Sequence, residues 1–590
     1  MVRAVLGWGI LSFAVLQIYE PVMHGLHLPE WTLTLVVVVL GVGFPATFVL
    51  AWIFDMGPGG VERTPSAPGE VPTPARRART ALLLIGLGLL ISVPGWVWYL
   101  RHDRVRPRAT DLAAQPAALP AGDPSPIQAS PGASSAPSIA VLPFADMSEK
   151  HDQEYFADGV AEEILNELAH VKGLKVIGRT SAFSFKGKNE DLRIVSQKLG
   201  VNHVLEGSVR RQGGRIRVTA QLIRATDGTH AWSESYERNA ADIFAVQRDV
   251  ARSVASALQV TLGTGDAPGV AEARSTSTAA YNHYLLGLHH GREVTGEGQA
   301  RAIAAFRQAI ALDPKYAPAW AGLGDALFWQ AQIQGSARGS PGLEEALGAA
   351  ESAVSLAPDY APAFLTRGLL REGYRWDWEG ARRDYERALE LNPGSSRALR
   401  RYAVLIGNLG RDQDAIPYYE RALVLDPLDS GTWNALGSSY ADMGRLELAR
   451  KAMERCLAIA PSGVLALQNL ADIDLLEGRT AEAAQGYARI EPGAYRLLGT
   501  IMVSKNLGRE RESAEAMASL EAEHGSTQPT MVAQAHAWRG ENDEAFRWLE
   551  RAVAQHDTGL REIKHDRYTR PLRGDARFKA LLRKMNLPVD

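Results

Sequence analysis

The stretch Trp433-Asn434-Ala435-Leu436-Gly437-Ser438-Ser439-Tyr440-Ala441-Asp442-Met443-Gly444, followed by Ala449, Met453 and Pro461, decides the fold of the carboxy-terminal half. Gly437 and Ala449 let two helices approach closely, and Trp433, Leu436 and Tyr440 fill the space between them. Pro461 stops the second helix, because proline lacks the amide donor and its ring clashes with the preceding turn. Working outward, Pro358, Pro393, Pro427 and Pro461 stand 35, 34 and 34 residues apart. Gly410-Arg411, Gly444-Arg445 and Gly478-Arg479 recur every 34 residues. An earlier unit ends at Pro314. The 44-residue step from Pro314 to Pro358 is one repeat plus an insert, which we place near Gln332 to Ser340. After Glu491 the period drifts, but Gly508-Arg509 and Gly540-Glu541 still mark helix pairs. Asp575 to Lys584 reads as a polar-faced terminal helix, which an array needs because its last repeat has no neighbour.

A 34-residue period of paired helices is the tetratricopeptide signature. It assigns residues 276–590 to an all-α TPR solenoid with a C-terminal capping helix. Such arrays take peptides or protein segments in a concave groove. Arg400, Asn434 and Gln468 each follow the large packing position of a first helix by one residue, so they are the candidate groove residues for a partner.

The first hundred residues have another character. Ala4–Tyr19, Trp31–Phe54 and Ala81–Leu100 contain no charged residue. About 20 apolar residues span a bilayer core, so residues 1–100 read as a membrane anchor with three transmembrane helices, about 4–19, 31–54 and 81–100. Trp31, Trp52, Trp96, Trp98 and Tyr99 lie at or near the segment ends, where amphipathic rings favour the interface. The loop from Glu20 to Glu30 lacks Lys and Arg, whereas Asp55–Arg79 carries Arg63, Arg76, Arg77 and Arg79. The positive-inside rule puts the second loop in the cytoplasm and everything after Leu100 outside it. Arg101, Arg104, Arg106 and Arg108 pull the other way. Residues 101–137 form a linker: of the 31 residues from Pro107 to Pro137, 7 are Pro and 9 are Ala. Such a composition has little to bury and stays extended.

Residues 138–262 read as a compact α/β domain. Ser138–Phe144 and Leu174–Gly178 are short apolar strands. Phe156–Val171 places Phe156, Val160, Ile164, Leu165 and Leu168 on one helical face. Asp191–Leu199 is a second helix and Ala241–Leu258 a closing one. Asn202–Arg211 and Arg215–Ala225 alternate around Gly213-Gly214, which is a hairpin signal. The domain holds 16 Lys+Arg and 16 Asp+Glu, so the arginines at the hairpin tip are a local, solvated feature. Ile139-Ala-Val-Leu-Pro-Phe144, then Tyr155-Phe-Ala-Asp-Gly159, Val176-Ile-Gly-Arg-Thr-Ser181, Val204–Arg210 and Asp227-Gly-Thr-His-Ala-Trp232 resemble the TolB-like domain of bacterial envelope proteins. The resemblance covers the whole domain, in the family's order. It implies an envelope-facing module without known catalytic residues, in which Gly159, Gly207 and Gly228 serve as backbone-turn positions. The Gly43-Phe-Pro45, Ala51-Trp52 and Gly59-Gly60-Val61 stretches resemble the same membrane-anchored family.

The expected fold class is therefore multi-domain: three N-terminal transmembrane helices, a small α/β TolB-like domain and an all-α TPR solenoid. The net charge of −3 over 590 residues argues against a protein that coats nucleic acid. A single cysteine, Cys456, excludes an intramolecular disulfide and a Cys-rich zinc site. It occupies a small-residue packing position, as Ala388 and Ala422 do in neighbouring units. His283, His289 and His290 lack a third ligand in the sequence, and His24 and His27 lie in the first loop. No Walker, Gly-x-Ser-x-Gly or His-Glu-x-x-His motif occurs. The expectation is a chain without catalytic, cofactor-binding or metal residues, hence not an enzyme. It would be a scaffold multiply spanning the bacterial inner membrane, with its soluble region periplasmic. Its partners would be a protein or peptide in the TPR groove, the lipid bilayer through the N-terminal helices, and a further copy through a dimer surface on the α/β domain. The alternatives are a transmembrane sensor acting on a separate cytoplasmic effector, and an enzyme such as a nucleotide cyclase.

Overall fold

The computed structural model describes residues 54–57, 60–63 and 137–589, apart from 172, 189, 261–274, 276, 294 and 335–340. The chain divides into two units, Met1–Ile127 and Gln128–Asp590. In the first, β1 (Phe54–Gly57) pairs antiparallel with β2 (Gly60–Arg63), Phe54 opposite Arg63. The expected spans at 4–19 and 81–100, and that at 31–54 up to residue 53, lie outside the described residues, as does the linker. Phe54 opens a strand. Among the described residues no helix is long and apolar enough to cross a membrane.

The second unit begins with a mixed sheet in the order β5-β3-β6-β7-β8. Its strands are β3 (Ser138–Val141), β5 (Lys175–Val176), β6 (His203–Gln212), β7 (Arg215–Arg224) and β8 (His230–Asn239). The two-residue β4 (Ala145–Asp146) also pairs with β6. β3 runs parallel to β5 and β6; β6, β7 and β8 are antiparallel, and the β6–β7 turn falls at Gly213-Gly214. Strand alternation divides the core. Ile139 and Val141 of β3 face α1 (Glu154–Ala169) and α4 (Ile243–Ala257), while Ala140 faces α2 (Arg179–Phe183) and α3 (Leu192–Leu199). β8 is a polar edge on which only Tyr236 is buried. Its Glu237 answers Arg215 and Arg217 near the hairpin tip.

Of the three glycines expected at turns, only Gly228 is one, with φ +71°. Gly159 lies inside α1, where an added Cβ would come within 2.5 Å of Leu285. Gly207 lies inside β6, where a Cβ would meet the Thr219 carbonyl oxygen at 2.4 Å and the Phe144 ring at 2.7 Å. Both are demanded by close approach.

Paired helices follow: α5 (Thr278–Gly291) with α6 (Gly296–Leu312), α7 (Ala317–Gln334) with α8 (Pro341–Leu356), α9 (Ala361–Leu370) with α10 (Trp378–Leu391), and α11 (Ser396–Asn408) with α12 (Asp412–Leu425). Then come α13 (Ser430–Asp442) with α14 (Leu446–Ile459), α15 (Val464–Leu476) with α16 (Thr480–Ala488), α17 (Ala494–Asn506) with α18 (Glu510–His524), and α19 (Pro529–Arg539) with α20 (Asn542–Gln555). Gly410, Gly444, Gly478, Gly508 and Gly540 end the first helices with φ between +72° and +81°, the left-handed conformation that glycine adopts without a Cβ penalty. Gly437 lets its helix approach Met453 and Ala452.

The last helix, α21 (Ala576–Lys584), does not cap an open end. Phe578, Leu581, Leu582 and Met585 are buried in one cluster with Trp376, Trp378, Ala381 and Tyr385. The Trp378 indole donates to the Met585 carbonyl at 2.7 Å, and Trp376 stacks on His556 with ring centroids 3.7 Å apart. The array closes on itself, so its last repeat has a neighbour: α10, far earlier in the chain.

The sheet domain is fused to the array. Phe156, Phe244 and Tyr281 share a core, and Arg292 of the array pairs with Asp158 and Glu162 of α1. At a second contact, Asp426 after α12 accepts from the Ser181 amide at 2.7 Å and from its hydroxyl, while the Gly178 amide donates to Leu425 at 2.6 Å.

Candidate functional site

The first helices of successive pairs turn one face to a common cavity of about 810 Å³. Its wall is rich in neutral hydrogen-bonding groups: the amides of Asn434, Gln468, Asn469, Gln528 and Gln534, and the hydroxyls of Ser438, Thr527 and Tyr495. First helices face inward because large packing residues, such as Trp433, pack against the second helices and leave the next position, here Asn434, for the groove.

Two of the three candidate groove residues meet here. Asn434 of α13 accepts from Asn469 of α15 at 3.2 Å, and both border the cavity. Gln468 borders it too, but is buried and donates to the Tyr568 hydroxyl at 2.9 Å. Arg400 of α11 lies apart, its Nε 3.3 Å from Asp429 at the start of α13.

Tyr568 belongs to a segment whose position repeat spacing does not reveal. After α20 the chain makes two 3-10 turns, Thr558–Glu562 and Arg570–Leu572, and runs between them along the groove wall. Leu560, Ile563, Thr569 and Leu572 are buried, which fixes it there. Its polar side chains meet acids that end or line the first helices. His565 Nδ1 lies 3.2 Å from Asp442 Oδ2, and Arg567 Nε donates to Asp442 Oδ1 at 3.0 Å and Nη2 to Ser438 at 3.0 Å. The hydroxyls of Tyr568 and Tyr487 both donate to Asp472. Asp566 accepts from Gln534 at 3.1 Å. The sequence signal was the density of charge and aromatic residues in Lys564-His-Asp-Arg-Tyr-Thr-Arg570, too short for any periodicity.

Burial sets the electrostatics. It pushes the Asp472 carboxyl up, against the opposing pull of Arg567, and raises Asp566 to about 6. For Asp442 burial acts in the same direction, but Arg567 and His565 outweigh it and hold the carboxyl below its ordinary range. Burial alone would lower His565; Asp442, Asp412 and Glu562 lift it to about 9.

The remaining candidates resolve as follows. Cys456 is buried and its thiol donates to the Ser430 carbonyl at 3.2 Å, with burial pushing the thiol up. His289 and His290 gain a third potential ligand in Glu293, 3.2 Å from His290, though the other Glu293 oxygen is held by Arg301. His24 and His27 lie outside the described residues.

A family model for the second domain of HilA/YgeH-like transcriptional regulators matches residues 134–253. Two tetratricopeptide repeat models match residues 372–430 and 430–462. A curated relative from Rhizobium meliloti (strain 1021), named "Putative adenylate cyclase 3", is 47% identical over 171 residues, 29% of this chain. The chain spans 27% of that relative's length. Among solved structures, PilW, a widely conserved type IV pilus biogenesis factor, is 24% identical over 31% of this chain and 86% of its own, with a TM-score of 0.29. The pilF protein of Pseudomonas aeruginosa is 19% identical over 36% of this chain and 94% of its own, TM-score 0.30. YrrB, a TPR protein with an unusual peptide-binding site, is 17% identical over 36% of this chain and 98% of its own, TM-score 0.25.

The helical half is thus a tetratricopeptide array. The expectation that the chain is not an enzyme is corrected: a relative 47% identical to part of it bears the name of a cyclase. That expectation rested on missing sequence motifs, which speak only for the chemistries those motifs serve.

Proposed function

We propose that this protein is a membrane-anchored interaction scaffold whose tetratricopeptide array holds an extended segment of a protein partner. The carrying observation is the cavity wall of side-chain amides around Asn434 and Asn469. A carboxamide offers both a donor and an acceptor, which matches the alternating groups of a main chain without demanding a particular side chain. The apolar runs at 4–19, 31–54 and 81–100 support anchoring in the bacterial inner membrane. The TolB-like resemblance of the sheet domain supports a periplasmic position for the soluble part. Photocrosslinkers placed in cells at Asn469 and at exposed Glu454 of α14 test the cavity. A discrete partner is expected from Asn469 alone; equal crosslinking at both positions would sink the assignment. A reporter active only outside the cytoplasm, fused after Asp590, tests the topology, and silence there would move the partner to the cytoplasm.

The cyclase name of the curated relative favours a second reading, in which the chain acts in cyclic-nucleotide signalling. Incubating the purified chain with ATP and Mg²⁺ or Mn²⁺ and assaying for cyclic AMP decides whether any of that activity resides here.

A further inference from the structure

Asp412 opens α12, Asp442 closes α13, and His565 lies on the segment that runs along the groove wall. His565 Nδ1 stands 3.2 Å from Asp442 Oδ2 and 3.6 Å from Asp412 Oδ1, and one ligand atom from each residue falls within 4.8 Å of the others. Ligand atoms about 2.1 Å from a common ion are themselves about 3.0 to 3.4 Å apart in octahedral or tetrahedral geometry.

Hydrogen bonding alone leaves this cluster incomplete. Asp412 is 7% exposed and its Oδ1 accepts no hydrogen bond. One N–H on Nδ1 can serve Asp442, but 3.6 Å is too long for a bond to Asp412. A buried carboxylate oxygen without a donor is costly. One cation placed between the three groups would satisfy both carboxylates together. The outer side of the imidazole fits such an ion. His565 Nε2 lies 3.4 Å from Asn408 Oδ1, and Asn408 is oriented by donating to Glu372 at 2.8 Å. The ion would displace the proton from Nδ1, and that arrangement would keep the other proton on Nε2, as the outer shell of a metal-binding histidine does. Arg567 pairs with Asp442 at 3.0 Å and with Asp472 at 3.5 Å, which leaves the Asp412 carboxylate beside Asp442 with His565 as its ion-pair neighbour.

We propose that Asp412, Asp442 and His565 bind a divalent transition-metal ion of the zinc or manganese class, which fastens the C-terminal segment to the groove wall. One imidazole with two carboxylates suits such borderline ions better than Mg²⁺, which holds on to its waters. Asp442 and His565 both border the cavity, so a further position on the ion opens toward it.

The test uses the full chain in detergent, stripped with a chelator and titrated with Zn²⁺, Mn²⁺ and Mg²⁺ by calorimetry, with bound metal counted by elemental analysis. One ion per chain is expected, with affinity falling from Zn²⁺ to Mn²⁺ to Mg²⁺, and at least 100-fold weaker binding in His565→Gln and in the isosteric Asp412→Asn. X-ray absorption of the zinc-loaded wild-type chain, which depends on no variant folding, should show nitrogen and oxygen ligands without sulfur. His289→Gln guards the second cluster and should bind as the wild type does. No stoichiometric ion in the wild-type chain, undiminished affinity in both ligand variants, or loss of the ion in His289→Gln would each overturn the site.

Discussion

Truncating Phe578 on the last helix should loosen Trp378, which precedes it by 200 residues. Phe578 is 3% exposed and lies in the cluster that joins α21 to α10. Removing a buried phenylalanine costs about 3–5 kcal/mol in transfer and cavity terms. Each 1.4 kcal/mol is tenfold in an equilibrium. If closure is the cooperative event, Phe578→Ala raises the open population about 100-fold or more. Hydrogen exchange with mass spectrometry reads this directly. Amide protection should fall together in peptides from α20, α21 and α10, while α5 and α6, buried in the core they share with the sheet domain, keep theirs. An open solenoid behaves otherwise, because each repeat feels only its neighbours. Protection loss confined to residues 542–587, with α10 at its wild-type value, would refute the closed array.

Three further outcomes follow from single contacts. Asp426→Ala removes the acceptor for both Ser181 donors at the sheet–array contact, a loss of about 3 kcal/mol at the strength of hydrogen bonds to a charged group. Calorimetry should then resolve a separate, earlier transition for the sheet domain, and one unchanged transition would count against the contact. Gly207→Ala should destabilise more than Gly159→Ala in urea titrations, because the first added methyl meets a backbone carbonyl and the second only the end of a leucine, so Leu285→Ala should rescue the second alone. His203 is held below its ordinary value of 6.5, first by burial and then by the Arg224 charge. Its folded pKa is depressed, so its contribution is fully present above pH 6.5 and is lost as pH falls through the folded value. Melting temperature should drop between pH 7.5 and 5, and His203→Gln should flatten that slope; a variant with the wild-type slope would remove His203 from the account.

What sequence could express was whatever repeats. Gly410, Gly444 and Gly478 recur because each first helix must end in the same left-handed turn, and a fixed period makes that legible. The β6–β7 hairpin was legible because Ile216, Val218, Ala220 and Leu222 alternate with outward residues. β8 left no comparable trace: it is an edge strand, only its Tyr236 is buried, and its remaining residues obey solvent rather than a core. The pairing of Trp378 with Met585 was silent for another reason. A contact between segments that do not repeat leaves no mark on either segment alone. The same limit applies at the groove. Equivalent register picked out Arg400, Asn434 and Gln468, but register cannot know that Asp429 draws Arg400 aside or that Tyr568 arrives to cover Gln468.

The join between Trp378 and Met585 spans 207 residues, and it governs the order in which the chain can finish folding. Most tetratricopeptide contacts are local and form quickly. The helix α10, however, cannot finish burying Trp378 until residues 578–585 have left the ribosome. Loop-closure entropy grows slowly, about 0.6 kcal/mol per doubling of length, so the finished molecule loses little by the distance. The unfinished molecule bears the burden instead. Any nascent or prematurely terminated chain ending between Leu391 and Phe578 would carry an uncovered aromatic face, a surface fit for chaperones or for aggregation.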